Sequence, residues 1–398
     1  MIKKKIKIYL EDTTLRDGEQ SPSVNFFFQE KLEIAQMISE ILSEDDALDT
    51  GFPATSQDDI KAVQSISKIV TKNYLMVISR MKKFDIDTAY EALKNAKKKK
   101  IGLIIPTSPA HRKFKLNVEP EELIEMAVKH IKYAQKYFDE VEVGYEDGSR
   151  TEMEFILRLS EKLIDTGVCS ITIADTLGCA TPWDFGDFFT QMRNRIPNID
   201  KLSFLGAHCH NDMGLALANS LAAVRSGANK VGCAFNGLGE RAGNTSTEEL
   251  LMAFYLKPDL MKNANRDKYG YNKILKCSKL VEKYSGIQVQ KNKAIVGDNC
   301  YIHESGIHQD GILKSKDTYQ LFDPAIVGYD GEIFVFGKHS GRNGLLYKLK
   351  KLGIDPQNID IDCFYKEFKA YCDTNKKITD NDILNLVKKT NALNENVG

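Results

Sequence analysis

The chain has 398 residues, 42% of them hydrophobic, so it can bury a large core and a second, smaller one. Basic and acidic residues both number 55, and this zero net charge argues against a nucleic-acid or anionic-membrane partner. The eight cysteines contain no Cys-x-x-Cys pair, and the N-terminus has no apolar signal segment. No apolar run approaches the ~18 residues of a membrane span. We therefore expect reduced thiols and a cytoplasmic protein.

Eight short apolar runs in the first 240 residues predict β-strands. Segments with helical periodicity separate them, and this alternation favours parallel pairing. Eight such units over roughly 250 residues match a (β/α)₈ TIM barrel, with a doubly wound open sheet as the structural alternative. We interpret the basic run Lys97–Lys100 as a solvated helix end. The predicted strands lie near 5–11, 46–50, 74–79, 101–106, 140–144, 170–174, 202–207 and 230–235.

The alternating pattern stops after Leu250. Residues 251–285 have a helical pattern and residues 286–330 are mixed. A strand-like segment, Glu332–Phe336, then precedes further helical segments. We therefore predict a small mixed or helical C-terminal region after the barrel. The predicted boundaries are a catalytic TIM barrel over 1–275, a linker subdomain over 276–330 and a small helical subdomain over 331–398.

Polar and ionisable residues follow the predicted strands at their C-terminal ends, where barrel enzymes build their active sites. Two of them are histidines in a His-x-His pair, and residues two apart on a strand project to the same side. The candidates are Arg16 and Asp17 after the first strand, Arg80 after the third, Glu146 after the fifth, Thr176 after the sixth, and His208 and His210 after the seventh.

In a closed barrel, only the eighth strand separates the first from the seventh. Asp17, His208 and His210 can therefore converge on one divalent ion, and Asn244 could bind it directly or through water. Oxygen and nitrogen ligands with open positions suit Mg²⁺, Mn²⁺, Zn²⁺ or Co²⁺, and the sequence does not choose among them. Such an ion would polarise the carbonyl of a 2-oxo acid, and Arg16 would stabilise the developing alkoxide. Two structural histidines, and a plain ion pair of Arg16 with Asp17 or Glu19, are the alternatives.

Five long motifs follow one another along the chain. They are Asp12–Gln20, His208–Ala216, Asn236–Asn244, His303–Gly311 and Gly337–Arg342. Together they resemble the motifs of the 2-isopropylmalate synthase/homocitrate synthase family, over residues 8–350. The resemblance implies a divalent-metal-dependent Claisen condensation of acetyl-CoA with a 2-oxo acid, followed by thioester hydrolysis.

The resemblance also implies roles for individual residues. Glycines let a bulky ligand approach the backbone, so the glycine-rich motif would lie near acetyl-CoA. His308 and Tyr319 would serve the active site of a partner subunit, which implies a homodimer with shared sites. By motif match, the implied metal ligands are Asp17, His208, His210 and Asn244. The implied contacts of the 2-oxo acid are Arg16, Glu146 and Thr176, with Arg80 in the same pocket. The implied acetyl-CoA segment includes Asn236, Gly237, Gly239 and Gly243.

The side chain of the 2-oxo acid separates the family's members. A homocitrate synthase needs a cation for the distal carboxylate of 2-oxoglutarate, whereas this chain has Glu142 and Gly144 at the matching positions. We therefore expect 2-oxoisovalerate as substrate and 2-isopropylmalate as product, in leucine-type biosynthesis. Homocitrate synthase and citramalate synthase, which uses pyruvate, are alternatives, and a hydroxymethylglutaryl-CoA lyase-like enzyme is a remote one. Because only residues 343–398 follow the last motif, we expect no leucine-binding regulatory domain.

Overall fold

A computed structural model of the protein describes residues 6–258 and 263–395, and the side chains as far as residue 391. The chain divides into two compact units, Met1–Val289 and Gln290–Gly398. In the described part of the chain, no helix is both long enough and apolar enough to cross a membrane. All eight cysteines are described, and none of them forms a disulfide.

The first unit is a closed barrel of eight parallel strands in sequence order. β1 pairs with both β2 and β8, which closes the sheet. This architecture confirms the predicted (β/α)₈ fold, and each predicted apolar run overlaps a strand. The strands are β1 Tyr9–Asp12, β2 Ala47–Asp49, β3 Tyr74–Arg80, β4 Lys99–Pro106, β5 Val141–Glu146, β6 Ser170–Asp175, β7 Phe204–Cys209 and β8 Lys230–Cys233.

Helices separate the strands, and local sequence rules explain where several of them begin. Ser56 and Thr181 each accept a hydrogen bond from the backbone N–H three residues later, as N-caps do. Pro120 and Pro182 occupy first-turn positions, where a missing N–H costs nothing. The helices are α1 Phe28–Ile41, α2 Gln57–Ile69, α3 Lys83–Leu93, α4 Pro109–His111, α5 Pro120–Ala134, α6 Met153–Asp165, α7 Pro182–Arg195, α8 Ala216–Arg225, α9 Thr247–Leu256 and α10 Ile274–Ser285.

The interior of the barrel is lined partly by glycines and charged residues rather than by bulky aliphatic side chains, which usually fill a TIM barrel. One layer runs in register from Ile104 through Gly144, Thr172 and Gly206 to Lys230. Gly144, Thr172 and Gly206 are small and leave space inside the barrel, and that space forms the lower part of the cavity described below.

The interpretation of Lys97–Lys100 as a solvated helix end is wrong. The preceding helix ends at Leu93, and Lys99 and Lys100 open β4. Lys100 is 2% exposed, and its ammonium contacts the carboxylates of Glu140 and Glu142 at 3.1 Å. The local sequence does not show this burial, because the partner Glu142 lies 42 residues away from Lys100 in the chain.

The second unit has its own apolar core, which includes Phe334, Leu349, Phe364 and Phe368. The predicted strand Glu332–Phe336 is absent from the described residues. The segment forms one isolated bridge there, between Phe334 and His303, because Phe334 packs into the core of this unit instead. The helices are α11 Gly306–Lys314, α12 Arg342–Lys351, α13 Ile361–Thr374 and α14 Asp380–Glu395.

Candidate active site

Three side chains meet at the C-terminal end of the barrel. Asp17 lies in the loop after β1, His208 is near the end of β7, and His210 follows that strand directly. Their possible ligand atoms all lie within 4.8 Å of one another. His208 Nε2 is 3.2 Å from Asp17 Oδ2, and the centroids of the two imidazole rings are 5.2 Å apart. The structure thus brings together the three residues that the sequence suggested as metal ligands.

Asn244, in the loop after β8, lies beside this cluster. It forms an isolated bridge with His210 through the backbone, and its Nδ2 donates to Leu238 O at 3.0 Å. A Cβ atom built on Gly239 would lie 2.9 Å from Asn244 Cγ and 3.3 Å from Asp17 Oδ1. The side chains of Asn244 and Asp17 therefore approach the same glycine.

Three buried polar atoms of this group have no hydrogen-bond partner among the described residues. They are Asp17 Oδ1, His210 Nδ1 and Asn244 Oδ1. Buried polar atoms are normally paired, so unpaired ones in a cluster require an explanation. Carboxylate and amide oxygens with imidazole nitrogens are donors that divalent Mg²⁺, Mn²⁺, Zn²⁺ and Co²⁺ accept. The residues present therefore fit a divalent metal ion.

The electrostatics of the cluster favour the protonation states that metal ligands need. Burial alone would raise the pKa of Asp17, but the Arg16 guanidinium and the hydrogen bond from His208 hold it well below its usual range. Burial, together with the neighbouring His208, lowers the pKa of His210 to about 4. Near neutral pH, Asp17 is thus an anion and His210 a neutral imidazole.

Arg16 is held between two carboxylates. Its Nη1 donates to Asp17 Oδ2 and its Nε donates to Asp49 Oδ2, both at 2.7 Å. Burial disfavours the charged guanidinium, but Asp17 and Asp49 outweigh that effect and raise the pKa of Arg16. A permanent positive charge is therefore fixed next to the Asp17–His208–His210 cluster.

A cavity of ≈ 440 Å³ extends from this cluster into the barrel. Arg80, Glu146 and Thr176, which the sequence suggested as substrate contacts, line it together with Arg16. Arg80 Nε donates to Asp85 at 2.6 Å, and both oxygens of Glu146 accept from Lys115 Nζ at 2.7 Å. Thr176 Oγ1 accepts from the backbone N–H of Asp147 at 2.8 Å. The structure thus places all four residues around one space.

The glycine-rich loop Asn236–Asn244 folds back on itself beside the site. Gly237 and Gly243 have positive φ angles of 67° and 90°, and a Cβ atom on Gly243 would collide with the carbonyl oxygen of Gly237. The Asn236 side chain is joined to Ser278 by two hydrogen bonds of 3.0 and 2.5 Å. These residues are thus required by the loop's own shape, in addition to the acetyl-CoA contact that the resemblance implies.

His308 and Tyr319 belong to the second unit. His308 lies on α11, and its ring stacks on that of Tyr319 with a centroid distance of 4.1 Å and an interplanar angle of 20°. The His303 ring lies 5.6 Å from that of His308. The structure therefore brings His308 and Tyr319 together within their own unit.

The floor of the cavity is a buried ion network. Lys230 donates to Glu11 at 2.7 Å and also to Glu142, and Lys100 lies 3.1 Å from Glu142. Burial alone would raise the pKa of Glu142, but Lys230 and Lys100 lower it to about 2. Glu142 is therefore an anion paired with two ammonium groups, and it does not stand in the cavity as an isolated negative charge.

Sequence reasoning did not assign a role to Asp49, Lys230 or Thr172. The signal for Asp49 is its place as an ionisable residue at the C-terminal end of a strand. The signal for Lys230 was its place at the start of an apolar strand. Thr172 lies two residues after Ser170 on β6, so alternation along the strand places both on the same face. This is the inner face of the barrel, because Thr172 lines the cavity.

Comparison with known proteins now identifies the family. The family model "HMGL-like" matches residues 7–281, and "Homocitrate synthase post-HMGL domain-like" matches residues 295–376. A 2-isopropylmalate synthase from Geobacillus sp. (strain WCH70) is 42% identical over 381 residues, which is 96% of this chain and 73% of that protein. The chain belongs to the 2-isopropylmalate synthase/homocitrate synthase family.

A second relative agrees with this assignment, and a solved structure shares the fold. The 2-isopropylmalate synthase from Pyrococcus abyssi is 42% identical, over 96% of this chain and 78% of its own length. Among solved structures, the HMG-CoA lyase from Bacillus subtilis superposes with a TM-score of 0.59 at 20% identity, over 71% of this chain and 95% of the lyase. That structural likeness supports the barrel fold alone.

Proposed function

We propose that this protein is an acyltransferase that condenses acetyl-CoA with 2-oxoisovalerate and releases 2-isopropylmalate and free CoA. The observation that carries the proposal is the Asp17–His208–His210 cluster with Arg16 beside it, in a chain 42% identical to 2-isopropylmalate synthases over 96% of its length. These relatives confirm the predicted acyl transfer to a 2-oxo acid. We further propose that the product feeds leucine-type biosynthesis.

The reaction forms one carbon–carbon bond and breaks one thioester. A base removes a proton from the methyl group of acetyl-CoA, and the resulting carbanion attacks C2 of the 2-oxo acid. The carbonyl electron pair moves onto oxygen, which then takes up a proton. Water finally cleaves the thioester and releases the CoA thiol. Negative charge therefore develops on the C2 oxygen, and the site needs a fixed positive charge there.

Arg16 provides that fixed charge. Asp49 and Asp17 hold the guanidinium in place before substrate arrives, so little reorganisation is needed as the charge develops. A divalent ion held by Asp17, His208, His210 and Asn244 would act as a Lewis acid toward the 2-oxo carbonyl. We propose that Glu146 and Thr176 orient the 2-oxo acid, with Arg80 at the wall of the same cavity.

Acetyl-CoA is proposed to lie along the glycine-rich loop. Gly237, Gly239 and Gly243 present backbone without side chains, so a bulky cosubstrate can approach it closely. Asn236 anchors the loop to α10 through Ser278, which keeps that backbone in position. The metal cluster and the loop meet at Asn244, which is the last residue of the loop.

We propose that His308 is the base that removes the methyl proton, with Tyr319 stacked beside it. Histidine is suited to this role because its unperturbed pKa lies close to neutral pH. Stacking on Tyr319 fixes the orientation of the imidazole ring. In this proposal the two residues act in the site of a second copy of the chain, and the protein is a homodimer.

The experiment is acetyl-CoA-dependent thiol release with Mg²⁺ or Mn²⁺. The acceptors to compare are pyruvate, 2-oxobutyrate, 2-oxoisovalerate, oxaloacetate and 2-oxoglutarate, each with Asp17→Asn as the inactive control. A preference for 2-oxoisovalerate supports the proposal. Preference for 2-oxoglutarate or pyruvate would make the protein a homocitrate or citramalate synthase instead, and thiol release from none of the five would contradict the proposed function.

A further inference from the structure

A buried hydroxyl inside the barrel has no hydrogen-bond partner among the described residues. Thr172 lies on β6, is 9% exposed and lines the cavity below the metal cluster. In the described part of the chain, its Oγ1 is a buried atom without a partner. Buried hydroxyls are nearly always paired, so this one points to a ligand group that the cavity receives.

Thr172 lies next to a glycine on each of the two neighbouring strands. Gly144 on β5 and Gly206 on β7 are its register partners. A Cβ atom on Gly144 would meet a single neighbour, Ile104 Cδ1, at 3.3 Å, so the space above Gly144 is open. A Cβ atom on Gly206 would collide with Thr172 Oγ1 and would lie 2.9 Å from Lys230 Cε. Gly206 therefore allows the Lys230 side chain to approach the Thr172 hydroxyl.

Lys230 brings a second donor to the same region. Its ammonium donates to Glu11 and Glu142, and within the described residues this leaves one of its three N–H groups for another acceptor. The two lysines of the network, Lys100 and Lys230, face three carboxylates, those of Glu11, Glu140 and Glu142. A ligand group placed here therefore meets hydrogen-bond donors in a network that has one more carboxylate than ammonium groups.

We propose that Thr172 and Lys230 form a distal subsite for 2-oxo acids whose side chains end in a neutral hydrogen-bond acceptor, such as an ester or amide carbonyl. The inference rests on the proposed function, which places the 2-oxo group at the metal cluster above. An alkyl terminus leaves the Thr172 hydroxyl unpaired, and a carboxylate adds a fourth anion to Glu11, Glu140 and Glu142, which only two lysines face. The subsite therefore extends the acceptor range beyond the branched 2-oxoisovalerate.

Three acceptors of similar length test this selection. The first, 2-oxoheptanoate, ends in an alkyl group, and the second, 2-oxoglutarate, ends in a carboxylate. The third, the 5-methyl ester of 2-oxoglutarate, ends in a neutral ester. Each is measured by acetyl-CoA-dependent thiol release and, without acetyl-CoA, by calorimetric binding in the presence of Mg²⁺. We expect the ester to exceed both others about tenfold in kcat/KM and in affinity, as one additional hydrogen bond would give.

Two variants assign that preference to the hydroxyl. Thr172→Val keeps the volume and removes the donor, so the ratio of ester to 2-oxoheptanoate should fall to about one. Thr172→Ser keeps the donor, so the ratio should stay within about threefold of the original. Equal use of ester and alkyl acceptors by the unmodified enzyme would overturn the inference, as would a preference that survives in Thr172→Val.

Failure of this inference is separate from failure of the proposed function. Turnover of 2-oxoisovalerate without any preference for the ester overturns the distal subsite alone. Absence of thiol release with every 2-oxo acid contradicts the proposed function, and the calorimetric comparison of the ester with 2-oxoheptanoate then still decides whether the subsite selects a neutral acceptor.

Discussion

Arg16 Nε lies 2.7 Å from Asp49 Oδ2, and this ion pair joins the loop after β1 to the end of β2. Asp49 is fully buried, whereas Arg16 lines the cavity that contains the Asp17–His208–His210 cluster. A buried carboxylate on a rigid strand therefore sets the direction of the guanidinium. Asp49 acts through Arg16 and is a positioning residue.

Asp49→Asn should lower kcat about 10- to 100-fold, because removing a residue that orients a group at the reacting centre typically costs a factor of this size. Asp49→Glu keeps the charge and should retain more activity than Asp49→Asn. Steady-state kinetics with 2-oxoisovalerate at saturating Mg²⁺ measures both. A kcat for Asp49→Asn equal to that of the unmodified enzyme would show that Arg16 needs no such support.

The same pair predicts a pH dependence. Burial raises the pKa of Asp49 to about 6, even though Arg16 opposes this shift. Asp49 is therefore ionised above pH 6 and becomes protonated below it, and protonation weakens the pair with Arg16. We expect kcat to fall on acidification through about pH 6, and this acid limb to be lost in Asp49→Asn. An identical acid limb in the two enzymes would exclude Asp49 as its cause.

Binding of a divalent ion should stabilise the fold against heat. The unpaired atoms of Asp17, His210 and Asn244 gain partners when the ion binds, and an ion at a hundred times its Kd adds about 2.7 kcal/mol. This corresponds to a rise in Tm of roughly 5 °C for a unit of this size. Differential scanning fluorimetry with EDTA and then Mn²⁺ measures the shift.

Two variants localise that thermal shift. His210→Ala should abolish it, because the cluster loses one of its ligands. His130→Ala is the matched control, because His130 lies on α5 with its Nδ1 2.8 Å from Met126 O and is absent from the cluster. The same shift in His210→Ala and in the unmodified protein would contradict the assigned metal site.

The buried ion network should be required for stability. Lys230→Met leaves the carboxylates of Glu11 and Glu142 buried without that partner, which typically costs about 3–5 kcal/mol. Urea unfolding followed by circular dichroism measures the change. Lys94→Met removes an exposed lysine paired with Glu91 and should leave the unfolding midpoint unchanged. Equal midpoints for Lys230→Met and Lys94→Met would show that the network contributes little.

The shared active site predicts complementation between two inactive chains. Asp17→Ala removes a proposed metal ligand, and His308→Ala removes the proposed base from the other unit. If each site combines the two units of different subunits, subunit exchange should restore about a quarter to half of the activity. Size-exclusion chromatography would first establish a dimer. No recovery after demonstrated exchange would place His308 in its own chain's site or in none.

The sequence was sufficient to predict the barrel and the residues around its active end. Eight apolar runs with helical spacers define a (β/α)₈ fold, and strand order alone brings Asp17 close to His208 and His210. These predictions depend on local periodicity and on one topological rule. They therefore need no knowledge of side-chain contacts.

The interior of the barrel could not be predicted in the same way. Lys230 lies 219 residues from Glu11 and 88 from Glu142, and nothing local in the sequence pairs them. The burial of Lys100 could not be predicted for the same reason, since a lysine at the start of a strand has the local sequence pattern of a solvated one. Glu332–Phe336 has strand-like alternation, but the core of the second unit binds Phe334 instead.

The central claim is that the site joins the acetyl carbons to a 2-oxo acid. The most direct measurement is mass spectrometry of the product formed from acetyl-CoA labelled with ¹³C at both acetyl carbons and unlabelled 2-oxoisovalerate, with Mg²⁺ present. The account predicts 2-isopropylmalate that carries both labelled carbons, with one free CoA per product and no product from Asp17→Asn. Absence of doubly labelled 2-isopropylmalate from the metal-loaded enzyme would contradict it.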